Sequence, residues 1–260
     1  MTDVTAWADA LIARHLASLT RPEFLRAARA LSSRYVEERH ALAGRSPLDS
    51  AGKRAAFAVL YGPIHFATTR AVADALALDR DAPAAIVDLG CGTGAASAGW
   101  AAALTTPPRI TGVDRQGWGL AEARWTWRTL GITGRTLRGD LVAEAGRLAR
   151  HPPRRLLRSG VLAAWSVNEL ATPARDTLLA HLVAIGRAGA TVLVIEPVST
   201  RTAPWWNAWA DAFVEAGGRA DAWRLPNTLP GALRELDRAA GFDRPTLTAR
   251  SLALVRAAGA

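Results

Sequence analysis

The sequence predicts a doubly wound α/β fold, with a mostly parallel sheet preceded by a helical N-terminal extension. Three observations predict it. From residue 84 onward, short apolar strands alternate with helical stretches, the order that builds a parallel sheet with helices on both faces. The first of these strands runs into a glycine-rich turn. Before residue 80 there is no strand pattern. The chain therefore divides into a helical extension or lid over 1–80 and a sheet-containing domain over 81–260.

Composition bounds the rest. A chain of 260 residues, half of them hydrophobic and 21% charged, buries a full core without a metal or disulfide staple. Cys91 is the single cysteine, which excludes an internal disulfide and any metal site or iron–sulfur cluster built from several cysteines. A reducing, cytoplasmic setting is expected. The opening MTDVTAWADA has no basic segment, so no signal peptide is expected, and no apolar run approaches the roughly 18 residues of a membrane span. The net charge of +9 favours an anionic partner such as nucleic acid. However, Lys53 is the only lysine, and wholesale use of arginine together with abundant alanine is what a GC-rich coding sequence produces without any partner.

Each element follows from local signals. Thr2 or Asp3 caps a helix over roughly 4–19, and Pro22 suits the first turn of a second helix running towards Leu42. Residues 43–52 read as a loop, and 53–79 as a third helical stretch broken at Gly62–Pro63. Strands are expected at 84–90, 109–115, 135–140, within 156–170, at 191–197 and at 246–256. Helices are expected at 93–104, 117–130, 173–187 and 204–216.

The strongest signal is V-D-L-G-C-G-T-G at 87–94. Gly90, Gly92 and Gly94 let a backbone turn tightly and approach a ligand closely, at the mouth of a helix whose first N–H groups are free. Asp114 ends the second strand, where an acid grips a ribose diol about 20 residues beyond such a turn. A nicotinamide cofactor is one reading, since Gly90, Gly92 and Ala95 satisfy G-x-G-x-x-A. A turn with no ligand is another. The acid two residues before the first glycine, Asp88, separates the two cofactors: it repels a pyrophosphate but attracts the ammonium and sulfonium of S-adenosylmethionine (SAM).

D-x-G-x-G-x-G resembles the first motif of class I SAM-dependent methyltransferases, and the resemblance covers about 84–200. It implies a Rossmann-like sheet, methyl transfer and SAM as cofactor. It further implies that Gly90, Cys91, Gly92 and Gly94 line the methionine moiety and that Asp114, with Arg115 beside it, meets the ribose. Asp140, with Leu141, would meet the adenine, unless Asp140 only caps a helix. Trp118 either stacks on adenine or packs.

In these enzymes the end of the fourth strand faces the transferring methyl, which makes Trp165, Ser166, Asn168 and Glu169 candidates for that region. Trp165 is expected beside the cofactor. Asn168 would orient an acceptor and Glu169 would take its proton, unless both merely cap the next helix. Glu196 closes the fifth strand before Trp205, Trp206 and Trp209, which form either a stacking wall for a flat acceptor or core under a helix. Tyr61, His65 and Phe66 precede the first strand as parts of a lid, with His65 a candidate base or a structural histidine. No metal is required.

L-S-S-R-Y (31–35), the Tyr61–Arg70 segment, N-E-L (168–170) and I-E-P (195–197) together resemble the ribosomal small-subunit methyltransferase-like family, which includes a mitochondrial ribosome-assembly factor. This implies ribosomal RNA or the small subunit as partner, either as substrate or as the target of a non-catalytic assembly factor. The chain departs from longer members by lacking their cluster-binding cysteines, which leaves a small-molecule or peptide acceptor as the alternative.

Overall fold

The computed structural model describes residues 3–37, 48–151, 156–199 and 203–255. The expected end of the second helix at Leu42 and the loop at 43–47 lie outside them. Seven strands form one sheet in the order β3-β2-β1-β4-β5-β7-β6. They are β1 (Ala85–Leu89), β2 (Arg109–Asp114), β3 (Gly134–Arg138), β4 (Ser159–Ala164), β5 (Thr191–Glu196), β6 (Arg219–Pro226) and β7 (Thr246–Leu254). The pairs from β3 through β5 are parallel, while β7 runs antiparallel to both β5 and β6. Every residue of β5 is buried, as a strand covered on both faces requires. The order reverses between β1 and β4, and a crevice at the carboxyl ends of these two strands is where such sheets bind ligands.

The helices are α1 (Val4–Leu16), α2 (Arg21–Glu37), α3 (Ala51–Ala56), α4 (Gly62–Ala75), α5 (Ala95–Ala102), α6 (Gly117–Thr129), α7 (Leu141–Ala149), α8 (Thr172–Arg187), α9 (Trp206–Glu215) and α10 (Gly231–Ala239). Asp3 caps α1, accepting the Ala6 N–H at 2.9 Å. Thr20 and Glu23 bond each other's backbone N–H at the start of α2, a capping box. Between α3 and α4 the chain makes a π-helical turn, Phe57–Tyr61, in which Gly62 N–H reaches the Phe57 carbonyl. Pro63 explains it: proline has no N–H to give and its ring crowds the carbonyl four residues back, so the ladder widens just before it.

The N-terminal helices and the sheet domain share one apolar cluster. Trp7, Phe24 and Phe66 are buried in it with Ala95, Ala98 and Trp127, and the Trp7 and Phe66 rings lie 5.3 Å apart. Gly99 makes the contact possible, since a Cβ there would stand 2.3 Å from the Phe66 carbonyl oxygen. Charge adds a clasp. Glu122 of α6, 3% exposed, receives Arg14 at 2.8 Å and His15 at 3.0 Å from α1. Together these contacts hold Glu122 below the usual glutamate range against the opposing effect of burial.

Three elements were not anticipated: α7, β6 and α10. The strand at 246–256 exists as Thr246–Leu254, but it is antiparallel and sits inside the sheet with β6 at the edge. Among the described residues, no helix is long and apolar enough to cross a membrane.

Candidate active site

The glycine turn takes the conformation its residues allow. Gly90, Gly92 and Gly94 have φ of 79°, 48° and 71°, a region open to glycine at no steric cost. The turn is tied to β2: Gly90 and Cys91 both donate to the Val113 carbonyl, at 2.8 and 3.0 Å. Gly92 donates to Asp114 Oδ2 at 2.9 Å, and the other carboxylate oxygen accepts from Gln116 at 2.7 Å. A carboxylate offers about four acceptor positions, so half-buried Asp114 keeps capacity for two hydroxyls. Gly90 packs so tightly that a Cβ would lie 2.6 Å from Ser166 Cβ, whereas the nearest atom to a Cβ on Gly92 is 3.9 Å away, on the Phe57 ring.

Asp88 lies on β1 under this turn, 1% exposed, with Oδ2 buried and without a partner. Burial pushes its carboxyl up to about 7, with Ser97 hydrogen bonding opposing the rise and the Asp114 charge adding to it. An orphaned buried acceptor here suits a cationic or N–H donor group. Cys91 differs from expectation. Its side chain is buried against Gly112, whose Cβ would stand 2.7 Å from the sulfur, and burial raises the thiol far above its ordinary range. With its N–H given to Val113 and its carbonyl taken by Gly94, it shapes the turn. Asp140 does cap α7, its Oδ1 accepting from Val142 and Ala143 at 2.9 and 3.0 Å. Its Oδ2 lies 3.9 Å from exposed Arg115 and remains open to a donor. Leu141 walls Gly90, 3.3 Å from where a Cβ would sit.

On the β4 side the expectations need more correction. Asn168 is tied at both ends of its amide within the protein. It gives its amide N–H to Glu196 Oε2 at 2.6 Å and accepts the Trp205 indole N–H at 2.9 Å. Glu196 is 0% exposed and its Oε1 takes the backbone N–H of Val167 at 3.0 Å. It therefore holds the 3-10 turn Val167–Glu169 and does not reach a substrate. Trp206 and Trp209 are 6% and 1% exposed and lie in the core with Phe213; half-buried Trp205 is pinned by Asn168, so the three are not a stacking wall. Phe66, 1% exposed, is core under α1, not a substrate contact. His65 stacks on Trp165 at 3.9 Å and 11°. Burial, then the nearby Arg244 charge, push it down to about 3, so it is neutral and a poor proton acceptor at neutral pH. Glu169 is exposed at the end of the turn.

Sequence reading missed Phe57 and Arg244. The first was hidden in an apolar run, AAFAVLY, and the second lies in a polar loop between α10 and β7 without any motif. Half-buried Trp118 faces Arg54, whose guanidinium is 6.0 Å from the ring centre. An open groove of about 680 Å³ lined by Asp176, Val183, Arg187 and Ala212 shares no residue with the glycine turn.

No family model matches the sequence, and no curated protein matches it. Solved structures do. An O-methyltransferase family protein from Burkholderia thailandensis aligns with a TM-score of 0.50 at 12% identity, over 96% of this chain and 71% of that one. A plantazolicin methyltransferase solved with SAH aligns at 0.48 and 9% identity, over 90% and 96%. Precorrin-6y C5,15-methyltransferase from Geobacter metallireducens aligns at 0.44 and 11%, over 72% and 87%. The first of these, with the strand order and the glycine turn, establishes the Rossmann-like fold of class I methyltransferases. The narrower likeness to the ribosomal small-subunit family receives no support from these comparisons.

Proposed function

We propose that the chain is a SAM-dependent methyltransferase acting on a small molecule. The observation that carries the reading is Asp114: at the switch-point crevice it braces the glycine turn through Gly92 and keeps acceptor capacity for a ribose diol. The orphaned oxygen of Asp88 fits the cationic methionine end of the same cofactor. When bound, SAM supplies an electrophilic methyl whose transfer breaks a C–S bond and releases S-adenosylhomocysteine.

The protein's own residues do the rest by positioning. Asp114 and Asp140 fix the nucleoside end, and Leu141 walls Gly90. Glu196 and Asn168 act as positioning residues, locking the turn that presents Glu169. Glu169 accepts the proton that an acceptor O–H or N–H gives up as the new bond to the methyl forms. His65, held neutral, takes no part in proton transfer.

A small acceptor is favoured because the π turn and α4 cross the glycine turn directly, with Phe57 over Gly92 and Gly62 beside Thr93. RNA remains the second reading on one observation. Arg109, Arg115, Arg124, Arg128, Arg135 and Arg138 are all exposed along β2, α6 and β3, an edge that reaches Asp114. Methyl transfer from radiolabelled SAM into a lysate of the source organism separates the readings. Label in the low-molecular-weight fraction is expected. Ribonuclease-sensitive label in the macromolecular fraction would replace this reading with RNA, and binding of SAM without transfer would point to an assembly factor.

A further inference from the structure

One group of side chains between the glycine turn and the end of β4 stands apart from the core around it. Phe57, Tyr61, His65 and Trp165 are all half-buried, while Ala58, Val59 and Leu60 beside them are fully buried. The π turn stacks Phe57 on Tyr61 at 5.9 Å and 17°, and such turns cluster at functional sites. Phe57 also meets His65 edge-on at 5.9 Å, and His65 lies flat on Trp165. Trp165 has φ of 54°, a costly state for a bulky side chain that persists only where the surroundings impose it. Its N–H bonds the Ile195 carbonyl at 2.8 Å, fixing it at the switch point next to Ser166 and Gly90. The Arg244 guanidinium covers Tyr61 at 5.3 Å and pairs with Asp237 at 3.1 Å.

We infer that the acceptor is a planar aromatic molecule, neutral or anionic, that packs against Phe57, Tyr61 and Trp165 with Arg244 at its rim. The inference rests on the methyltransferase reading and names its substrate class. Flat rings give a flat ligand offset-stacked or edge-on contacts beyond simple burial. The position of the group, from Gly92 to the end of β4, sets that ligand beside the cofactor turn. A cation is disfavoured because Arg244 already occupies the cation–π position on Tyr61. His65 stays neutral in its stack and serves as a rigid backing for Trp165.

Calorimetric titration of the full chain tests this, with 2-naphthol as the planar probe, trans-2-decalol as its saturated counterpart and N-methylquinolinium as the planar cation, each with and without saturating S-adenosylhomocysteine. We expect 2-naphthol to bind about fivefold or more tighter than either control. Tyr61→Leu and Trp165→Leu should each weaken 2-naphthol about fivefold and S-adenosylhomocysteine less, with thermal melts confirming that both variants fold. Equal binding of naphthol and decalol, preference for the cation, or indifference to both substitutions would overturn the inference. Failure of S-adenosylhomocysteine to bind would overturn the methyltransferase reading instead, and the naphthol-to-decalol ratio without it still decides the substrate class.

Discussion

The two sides of the crevice use similar residues in opposite ways. After β1 and β2, Asp88 and Asp114 sit at strand ends with hydrogen-bonding capacity to spare: one oxygen of Asp88 has no partner, and Asp114 has satisfied only backbone donors. After β4 and β5, Asn168 and Glu196 also sit at strand ends, but they satisfy each other, the 3-10 turn and Trp205. A polar side chain at a strand end is therefore a ligand contact only when its neighbours leave it something to bind with. On the proposed function the first side is the cofactor side, and the second is a rigid frame for the 3-10 turn and Trp165.

The comparison breaks most sharply at Gly90. Gly90→Ala forces a positive φ on alanine and sets a Cβ 2.6 Å from Ser166. We expect a loss above about 3 kcal/mol in denaturant unfolding, together with loss of S-adenosylhomocysteine binding. A variant of wild-type stability would mean that the turn and the β4 end are not locked together.

Asp88 comes next, through pH. Its carboxyl stands at about 7 instead of 3.8, so between those values the folded protein holds a proton that the unfolded chain has released. Wild-type stability without cofactor then falls as pH rises through that window. Asp88→Asn removes the slope. It should be more stable than wild type at pH 8, by about 2–4 kcal/mol, equal to it below pH 4, and weaker for S-adenosylhomocysteine at pH 8. Parallel stability–pH curves for the two proteins would show that Asp88 is not titrating in this window.

Asn168→Ala tests the frame. It removes the Asn168 bonds to the Trp205 indole N–H and to Glu196 Oε2, and should cost about 2 kcal/mol by thermal or denaturant unfolding. Gly92→Ala is the mildest change. The site has room for a Cβ, so only the left-handed backbone is penalised, by about 1 kcal/mol. A loss as large as that of Gly90→Ala would contradict the space seen at Gly92.

How far the sequence foretold all this follows the same division. The glycine turn and the acid that ends β2 were legible because their placement is written in local spacing. The mostly parallel sheet was legible from strands alternating with helices, but its strand order was not. The Asn168–Glu196 bond was not, since its partners are far apart in the chain and a sequence shows a polar residue without showing what it bonds. Trp205, Trp206 and Trp209 have the same spacing as a wall or as core, and only packing against Phe213 decides. Strand β6 was missed because it is an edge strand whose burial alternates only between exposed and half-buried, with Arg219, Asp221 and Arg224 diluting its apolar pattern. Phe57 gained its place from the π turn that Pro63 imposes, a backbone effect at a distance of six residues.

The most direct test of the cofactor-and-frame division is calorimetric binding of S-adenosylhomocysteine to wild type, Asp114→Ala and Asn168→Ala, with a thermal melt of each. One molecule bound per chain is expected. Asp114→Ala should weaken it at least about tenfold with little change in melting temperature, and Asn168→Ala should lower the melting temperature while binding near wild-type affinity. Undiminished binding in Asp114→Ala, or loss of binding in a fully folded Asn168→Ala, would contradict it.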